Sequence, residues 1–360
     1  MKSSKLEILV DTLLNNYPAF GGNKEDLEQI HSDILNASHE LFCSTDINYR
    51  KFSEVMGFHQ LGAFNLSEGI IPFLPSDYFK WFRHASIKNE QRILVQSSGT
   101  SNTKSTVSLN LKNTHSQRIA LSKILTHFLG SERKHLFLIG ESLSEKKGLI
   151  STSDIAARGI ALAASKIHRI GREPLSANLF KSMLREVGDK QFILFGMTYE
   201  ILLALKTNMV PRGVYENMIV VHGGGWKKLF DSRLEKSDFY KLISEAWGTK
   251  RIHDYYGMAE QAGTILFECV LNNYHVSNYS SIVVRDAGLE VSSESETGVL
   301  NTLSFIQSSY PGVSILTQDL GKKISSLSGD CQCGTLGPII RIEGRINEAG
   351  IKGCSDSLTS

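Results

Sequence analysis

QFILFGMTYEILLALKTNMVPRGVYENMIVV, residues 191–221, reads as a single strand–helix–strand unit. Its ends, 191–195 and 217–221, are short apolar runs of strand length, and 198–207 between them has the spacing of a helix. The same alternation extends outward. Candidate strands fall at 92–96, 135–139 and 250–254, and candidate helices at 113–129, 176–187 and 235–247. Such alternation predicts an α/β protein of layered sheets, with a largely parallel sheet at its centre. Upstream, residues 1–90 read as a helical section: Leu6, Leu9, Val10 and Leu13 form one stripe, and Leu27, Ile30, Ile34 and Leu41 continue helical spacing. Downstream of about residue 264 the chain is strand-rich (TILFEC, SIVVRD, TGVLNTL, VSILTQD, then PIIRIEG), which predicts a more antiparallel, barrel-like section. The expected division is therefore 1–90 helical, 91–345 an α/β core with that β-rich section, and 346–360 a C-terminal tail.

Composition narrows the function classes. The 360 residues are 41% hydrophobic and 21% charged, ordinary for a globular protein. Their 39 basic and 37 acidic side chains nearly cancel, which leaves no electrostatic footprint for nucleic acid. Asp11 interrupts the N-terminal apolar run, so that run reads as an amphipathic helix and not as an export signal. No stretch approaches the roughly 20 apolar residues of a membrane span. A cytoplasmic protein is expected, and its odd count of five cysteines argues against a disulfide framework.

Four short motifs carry chemistry. Gln96-Ser-Ser-Gly-Thr-Ser-Asn-Thr-Lys-Ser-Thr106 follows a strand with hydroxyls, one glycine and a lysine. Gly99 lets backbone approach a phosphate, Ser98 and Thr100 donate to it, and Lys104 adds positive charge. It is not a Walker A loop, which needs GxxxxGK[ST] opening a helix. Asp254-Tyr-Tyr-Gly-Met-Ala-Glu260 also follows a strand: its aromatic pair suits a purine and Glu260 is a hard oxygen ligand for Mg²⁺. In Thr317-Gln-Asp-Leu-Gly321, Asp319 is placed to accept from ribose hydroxyls, and Gly344-Arg345 forms a further turn. Each motif is weak alone and common in surface loops.

Their order and spacing resemble the adenylate-forming superfamily of acyl-CoA ligases and adenylation domains. Ile71-Pro-Phe-Leu-Pro-Ser-Asp-Tyr-Phe-Lys80, the SSGTSNTKS loop and Val221-His-Gly-Gly-Gly-Trp-Lys227 are more specifically similar to the acyl-protein synthetase family. That family includes the synthetase subunit of the bacterial bioluminescence fatty-acid reductase. The resemblance implies the large N-terminal domain of the adenylate-forming fold, without the mobile C-terminal domain, and an ATP-dependent ligase. It implies that Ser98, Gly99, Thr100 and Lys104 bind ATP phosphates and that Gly223, Gly224 and Gly225 line the adenine and acyl pocket. Tyr256 would contact adenine, Glu260 hold Mg²⁺, and Asp319 and Arg345 hold ribose and phosphate. The substrate would be a carboxylic acid, fatty or aromatic, because Phe195, Met197 and Trp226 are apolar.

The cysteines add two expectations. Cys269, His275, Cys331 and Cys333 form a Cys₃His set suited to structural Zn²⁺, although C-x-C is tighter than the usual spacing. Cys43 reads as a buried helical residue. Cys354, among small polar residues, reads as an exposed reactive thiol, and the resemblance implies that it accepts the acyl group. From there the acyl group would pass to a partner protein, a carrier protein or CoA. Two other readings stay open: a small acyl- or aryl-CoA ligase completed by a partner-supplied domain, and a non-catalytic adenylate-binding protein.

Overall fold

The alternation of the central sequence becomes a sheet whose strands are apolar on both faces. The computed structural model describes residues 4–58, 63–66, 69–82, 92–97, 104–140, 149–171, 177–224, 234–261, 263–324 and 331–346. The described helices are α1 (Lys5–Asn16), α2 (Lys24–Thr45), α3 (Ile47–Val55), α4 (Tyr78–Trp81), α5 (Leu111–Leu129), α6 (Thr152–Ile160), α7 (Ala177–Val187), α8 (Thr198–Lys206) and α9 (Lys236–Trp247). The first eight strands are β1 (Leu74–Pro75), β2 (Arg92–Gln96), β3 (Thr106–Asn110), β4 (Lys134–Ile139), β5 (Leu149–Ser151), β6 (Ala164–Ile170), β7 (Phe192–Met197) and β8 (Met218–Gly223). The other seven are β9 (Ile252–Tyr256), β10 (Leu266–Glu268), β11 (Tyr274–His275), β12 (Ser280–Arg285), β13 (Gly298–Ser304), β14 (Ser314–Ile324) and β15 (Ile339–Arg345).

The large sheet runs β6-β4-β7-β8-β9 with every neighbour parallel. Successive side chains of a strand point to opposite faces, and here both faces are covered. Leu136 and Leu138 of β4, Ile193 and Phe195 of β7, and Ile219 and Val221 of β8 join the core under α5 and α6. Phe137, Ile139, Phe192, Leu194, Met218 and Val220 join the opposite core under α7, α8 and α9. Burial on two sides explains the continuous apolar runs that decided the sequence reading.

At β9 the direction changes. β10 pairs with β9 antiparallel, and the order continues β11-β15-β14-β13-β12, antiparallel throughout. The strand-rich section is therefore antiparallel as expected but not barrel-like. It extends the parallel sheet edge to edge, because the short return after β9 lays β10 directly along it, and among the described strands the order ends openly at β12 and β6. The helical section takes part as well: β1 pairs with β14 in parallel. A second sheet, β3-β2-β5, carries the hydroxyl-rich hairpin. Local signals hold at the N-terminus, where Ser4 caps α1 in a reciprocal pair with Glu7. Cys43 is half-buried near the end of α2, less enclosed than its helical position suggested. No described helix is long and apolar enough to cross a membrane.

Candidate active site

Parallel strands that end together leave a crevice at their C-terminal ends, where open α/β sheets bind ligands. Here Met197 of β7 registers with Gly223 of β8, and Gly223 with Tyr255 of β9. A Cβ on Gly223 would lie 2.2 Å from the Tyr255 ring, so the ring crosses the backbone only because no side chain is there. Gly224 has φ +87°, and a Cβ on it would lie 2.4 Å from Met197 Cε. At these two glycines the close approach is made by Tyr255 and Met197. The strand ends here carry an aromatic ring and a thioether laid over glycine, with Gly224 exposed beside them. Thr198, at the start of α8, fixes this corner: its Oγ1 lies 3.2 Å and 3.1 Å from the carbonyl oxygens of Gly223 and Gly224.

From the antiparallel side, Asp319 of β14 registers with Arg345 of β15. Tyr256 donates from its hydroxyl to Asp319 Oδ2 at 2.7 Å, and Arg345 Nε stands 3.9 Å from Asp319 Oδ1. Burial, with the Asp319 charge beside it, pushes the Tyr256 phenol well up. Tyr256 therefore stays a neutral donor, and Asp319 an acceptor shared between a phenol and a guanidinium. Three residues from separate motifs are joined in one polar row.

The hairpin β2–β3 brings the third part. Ser97 N–H donates to the Ser105 carbonyl and Ser105 N–H to Ser97 Oγ, pinching the base of the loop. Ser98, Gly99 and Thr100 lie outside the described residues, as do Gly225, Trp226 and Cys354. Lys104 is exposed at the entry to β3. β3 packs against the turn Ala259–Gln261, which carries half-buried Glu260. Tyr310 holds that turn by donating to the Glu260 carbonyl at 2.9 Å. Among the described residues no ion pair forms at the Lys104 ammonium or the Glu260 carboxylate.

Beneath the crevice lies a cluster that motif reading missed. Lys236 Nζ stands 3.1 Å from Asp254 Oδ2, 2.7 Å from Glu268 Oε1 and 2.9 Å from the Tyr274 hydroxyl. Tyr240 donates to Glu268 and Tyr274 to Asp254. Asp254 immediately precedes Tyr255, so the network anchors the end of β9. The available signal was an acidic residue within the apolar run TILFEC.

Glu268 also leads into the Cys/His cluster. Cys269 follows β10, His275 ends β11, and Cys331 and Cys333 sit on a turn before β15, with the four ligand atoms within 4.8 Å of one another. Cys269 Sγ is 3.9 Å from Cys331 Sγ, and Cys333 Sγ is 3.4 Å from His275 Nε2. A tetrahedron with Zn–S bonds of ~2.3 Å has edges of ~3.8 Å, so the four side chains are already spaced as such a site requires. His275 Nδ1 is buried with no hydrogen-bond partner. Burial pushes the Cys269 thiol up to about 12.

The parallel sheet thus turns antiparallel at β9, the strand that carries Tyr255 and Tyr256. The chain is similar in fold to 2-hydroxyisobutyryl-CoA ligase in its postadenylation state, with TM-score 0.68 and 15% identity, over 91% of this chain and 69% of that one. The open conformation of that ligase matches with TM-score 0.65 and 14% identity, over 91% and 77%. The chain belongs to the acyl-protein synthetase family: the family described as "Acyl-protein synthetase, LuxE" matches residues 3–360. It is 23% identical over 360 residues to the long-chain-fatty-acid–luciferin-component ligase of Vibrio harveyi, covering 93% of this chain and 89% of that one. To the ligase of the same description from Aliivibrio fischeri it is 24% identical over 177 residues, 48% and 46% of the two chains. The protein is a ligase, and it works by activating an acid.

Proposed function

We propose that this ligase activates a long-chain fatty acid with ATP and Mg²⁺ and passes the acyl group to the thiol of Cys354. The observation that carries the reading is the Tyr256–Asp319–Arg345 row, which joins β14 and β15 to the end of β9, one residue after the Tyr255 that registers with Gly223 of β8. The acid class follows the named relatives.

A carboxylate oxygen attacks the α-phosphorus of ATP and the bond to the bridging oxygen breaks. Pyrophosphate leaves, and the acyl-adenylate remains. Arg345 and Lys104 balance phosphate charge, with Ser98, Gly99 and Thr100 as donors, and Asp319 accepts from the ribose hydroxyls. Glu260 would hold Mg²⁺, whose chemistry here is to neutralise the phosphate oxygens. In the second half-reaction the Cys354 thiolate attacks the acyl carbon, the carbon–oxygen bond breaks and AMP departs. The thiol proton goes to solvent; a nucleophile of a partner protein, a carrier protein or CoA then attacks the acyl carbon, the carbon–sulfur bond breaks and Cys354 is released as the thiol. Cys269, His275, Cys331 and Cys333 fit a closed structural zinc site, away from the chemistry.

The test is acid-dependent exchange of pyrophosphate into ATP with fatty acids of increasing length. Exchange with long chains is expected, and Glu260→Gln lowers it at least ~10-fold by removing a charged metal ligand. No exchange with any acid returns the chain to an adenylate-binding role. Unchanged exchange in Glu260→Gln removes that residue from the metal site.

A further inference from the structure

The free edge of the parallel sheet carries a second convergence of ligand-type side chains. β4 and β6 register His135 opposite Lys166 and Phe137 opposite His168, so these four side chains share one face. His135 Nδ1 lies 2.9 Å from His168 Nε2, and the two rings stack at 28° with centroids 5.1 Å apart. One nitrogen must donate and the other accept, so the pair is joined through a single proton. α7 covers this face, with Phe180 and Val187 in the same core as Phe137. Its Glu186 reaches over the imidazoles, and one ligand atom from each of His135, His168 and Glu186 lies within 4.8 Å of the other two. The carboxylate is held there by the ammonium of Lys166.

We propose that His135, His168 and Glu186 form an exchangeable site for a divalent transition-metal ion, with Lys166 competing against the ion for Glu186. Two imidazoles and one carboxylate are a proven ligand set that leaves coordination positions for water, and imidazole suits zinc, nickel and copper. Two imidazole nitrogens on a tetrahedral ion at ~2.05 Å stand ~3.3 Å apart. The observed pair therefore needs to open only slightly when the shared proton leaves. His168 is buried and His135 half-buried, which limits the hydration the pair must shed, while Glu186 is exposed enough to release Lys166 at little cost. His135 lies at the start of β4, whereas the candidate active site gathers at the ends of the parallel strands. Occupancy would clamp α7 to the sheet edge without touching the crevice.

The experiment titrates Ni²⁺ into the full-length chain by calorimetry, with resident metal measured before and after. One equivalent of Ni²⁺ beyond the resident metal is expected in the parent, together with a raised melting temperature. His168→Gln should weaken that binding about 100-fold and Glu186→Gln about 10-fold, within the range for disturbed metal sites. Lys166→Met should tighten it several-fold by removing the competitor. Glu186 is on the surface, so its variant reports binding even if His168→Gln disturbs packing. Absence of an extra equivalent in the parent overturns the site, as does Ni²⁺ binding unaffected by both His168→Gln and Glu186→Gln. Unchanged or weaker binding in Lys166→Met overturns the competition.

Discussion

The two halves of the large sheet bury their strands by opposite means. β4, β7 and β8 are enclosed almost wholly by apolar side chains, from Leu136 to Val221, on both faces. The antiparallel half buries Glu268, Arg285, Asn301 and Thr302, and at the junction β9 buries Asp254. Arg285 Nε donates to Asn301 Oδ1 at 2.9 Å, and Lys236 ties Asp254 to Glu268. Apolar burial is non-directional and tolerates exchange of one aliphatic residue for another. A buried polar group must keep its partners or lose stability. The parallel half is accordingly mostly an apolar platform, and the carboxylates of the Lys236 network and the Tyr256–Asp319–Arg345 row lie at and beyond β9.

The sharpest way to break this contrast is to remove one sulfur from the Cys/His cluster. If the four side chains hold zinc, Cys331→Ser should reduce metal content from about one per chain to near none and unfold the antiparallel half, since ligand binding energy there is folding energy. Leu138→Ala in the parallel half should cost about 3 kcal/mol by opening a cavity and leave metal content unchanged. Elemental analysis and melting curves on the two variants decide the matter. Parent protein purified without chelator and free of zinc would end the metal reading.

Lys236→Met probes the next largest difference. It leaves two buried carboxylates without their cation, which should cost about 3 kcal/mol near pH 8. Burial already pushes the Glu268 carboxyl up, against the pull of Lys236. Without the lysine, its folded value rises further above that of the unfolded chain. Protonation then relieves the variant at low pH, and the relief is lost as pH rises. The stability gap between parent and variant should therefore widen from pH 5 to pH 8. A pH-independent gap in denaturant unfolding would mean that Lys236 acts through its aliphatic stem alone.

The same contrast governs how much could be read beforehand. Strands such as Arg92–Gln96 and helices such as Thr198–Lys206 were visible because apolar periodicity is local. The Cys/His set was visible because its residue types are rare. The Lys236 network was not, because Asp254, Glu268 and Tyr274 are ordinary residues brought together only by strand pairing. β1, two residues long, carries no periodicity, and its pairing with β14 joins positions about 240 apart in sequence. Gly223 and Gly224 read as lining a ligand pocket, but sequence could not say that Tyr255 and Met197 approach them, because those contacts are made only by strand pairing and packing.

The smallest effect on adenylation, and the most discriminating for the second half-reaction, is expected at Cys354. Under the proposed function, forming the adenylate uses the residues around Asp319, Arg345 and Glu260, and no thiol takes part. Displacing AMP requires a nucleophile, and sulfur serves far better than the hydroxyl of serine. Cys354→Ser should therefore keep pyrophosphate exchange within about twofold of the parent, while losing hydroxylamine-sensitive labelling by radioactive fatty acid. Cys43→Ser should keep both, because Cys43 lies on α2 and burial pushes its thiol up, away from the reactive thiolate. The cluster cysteines make poor controls, since their loss would disturb the half of the sheet that carries Asp319. If labelling survives in Cys354→Ser and peptide mapping finds the acyl group elsewhere, the tail thiol is not the acceptor. Transfer to added CoA then becomes the deciding measurement, and efficient transfer there favours a CoA ligase.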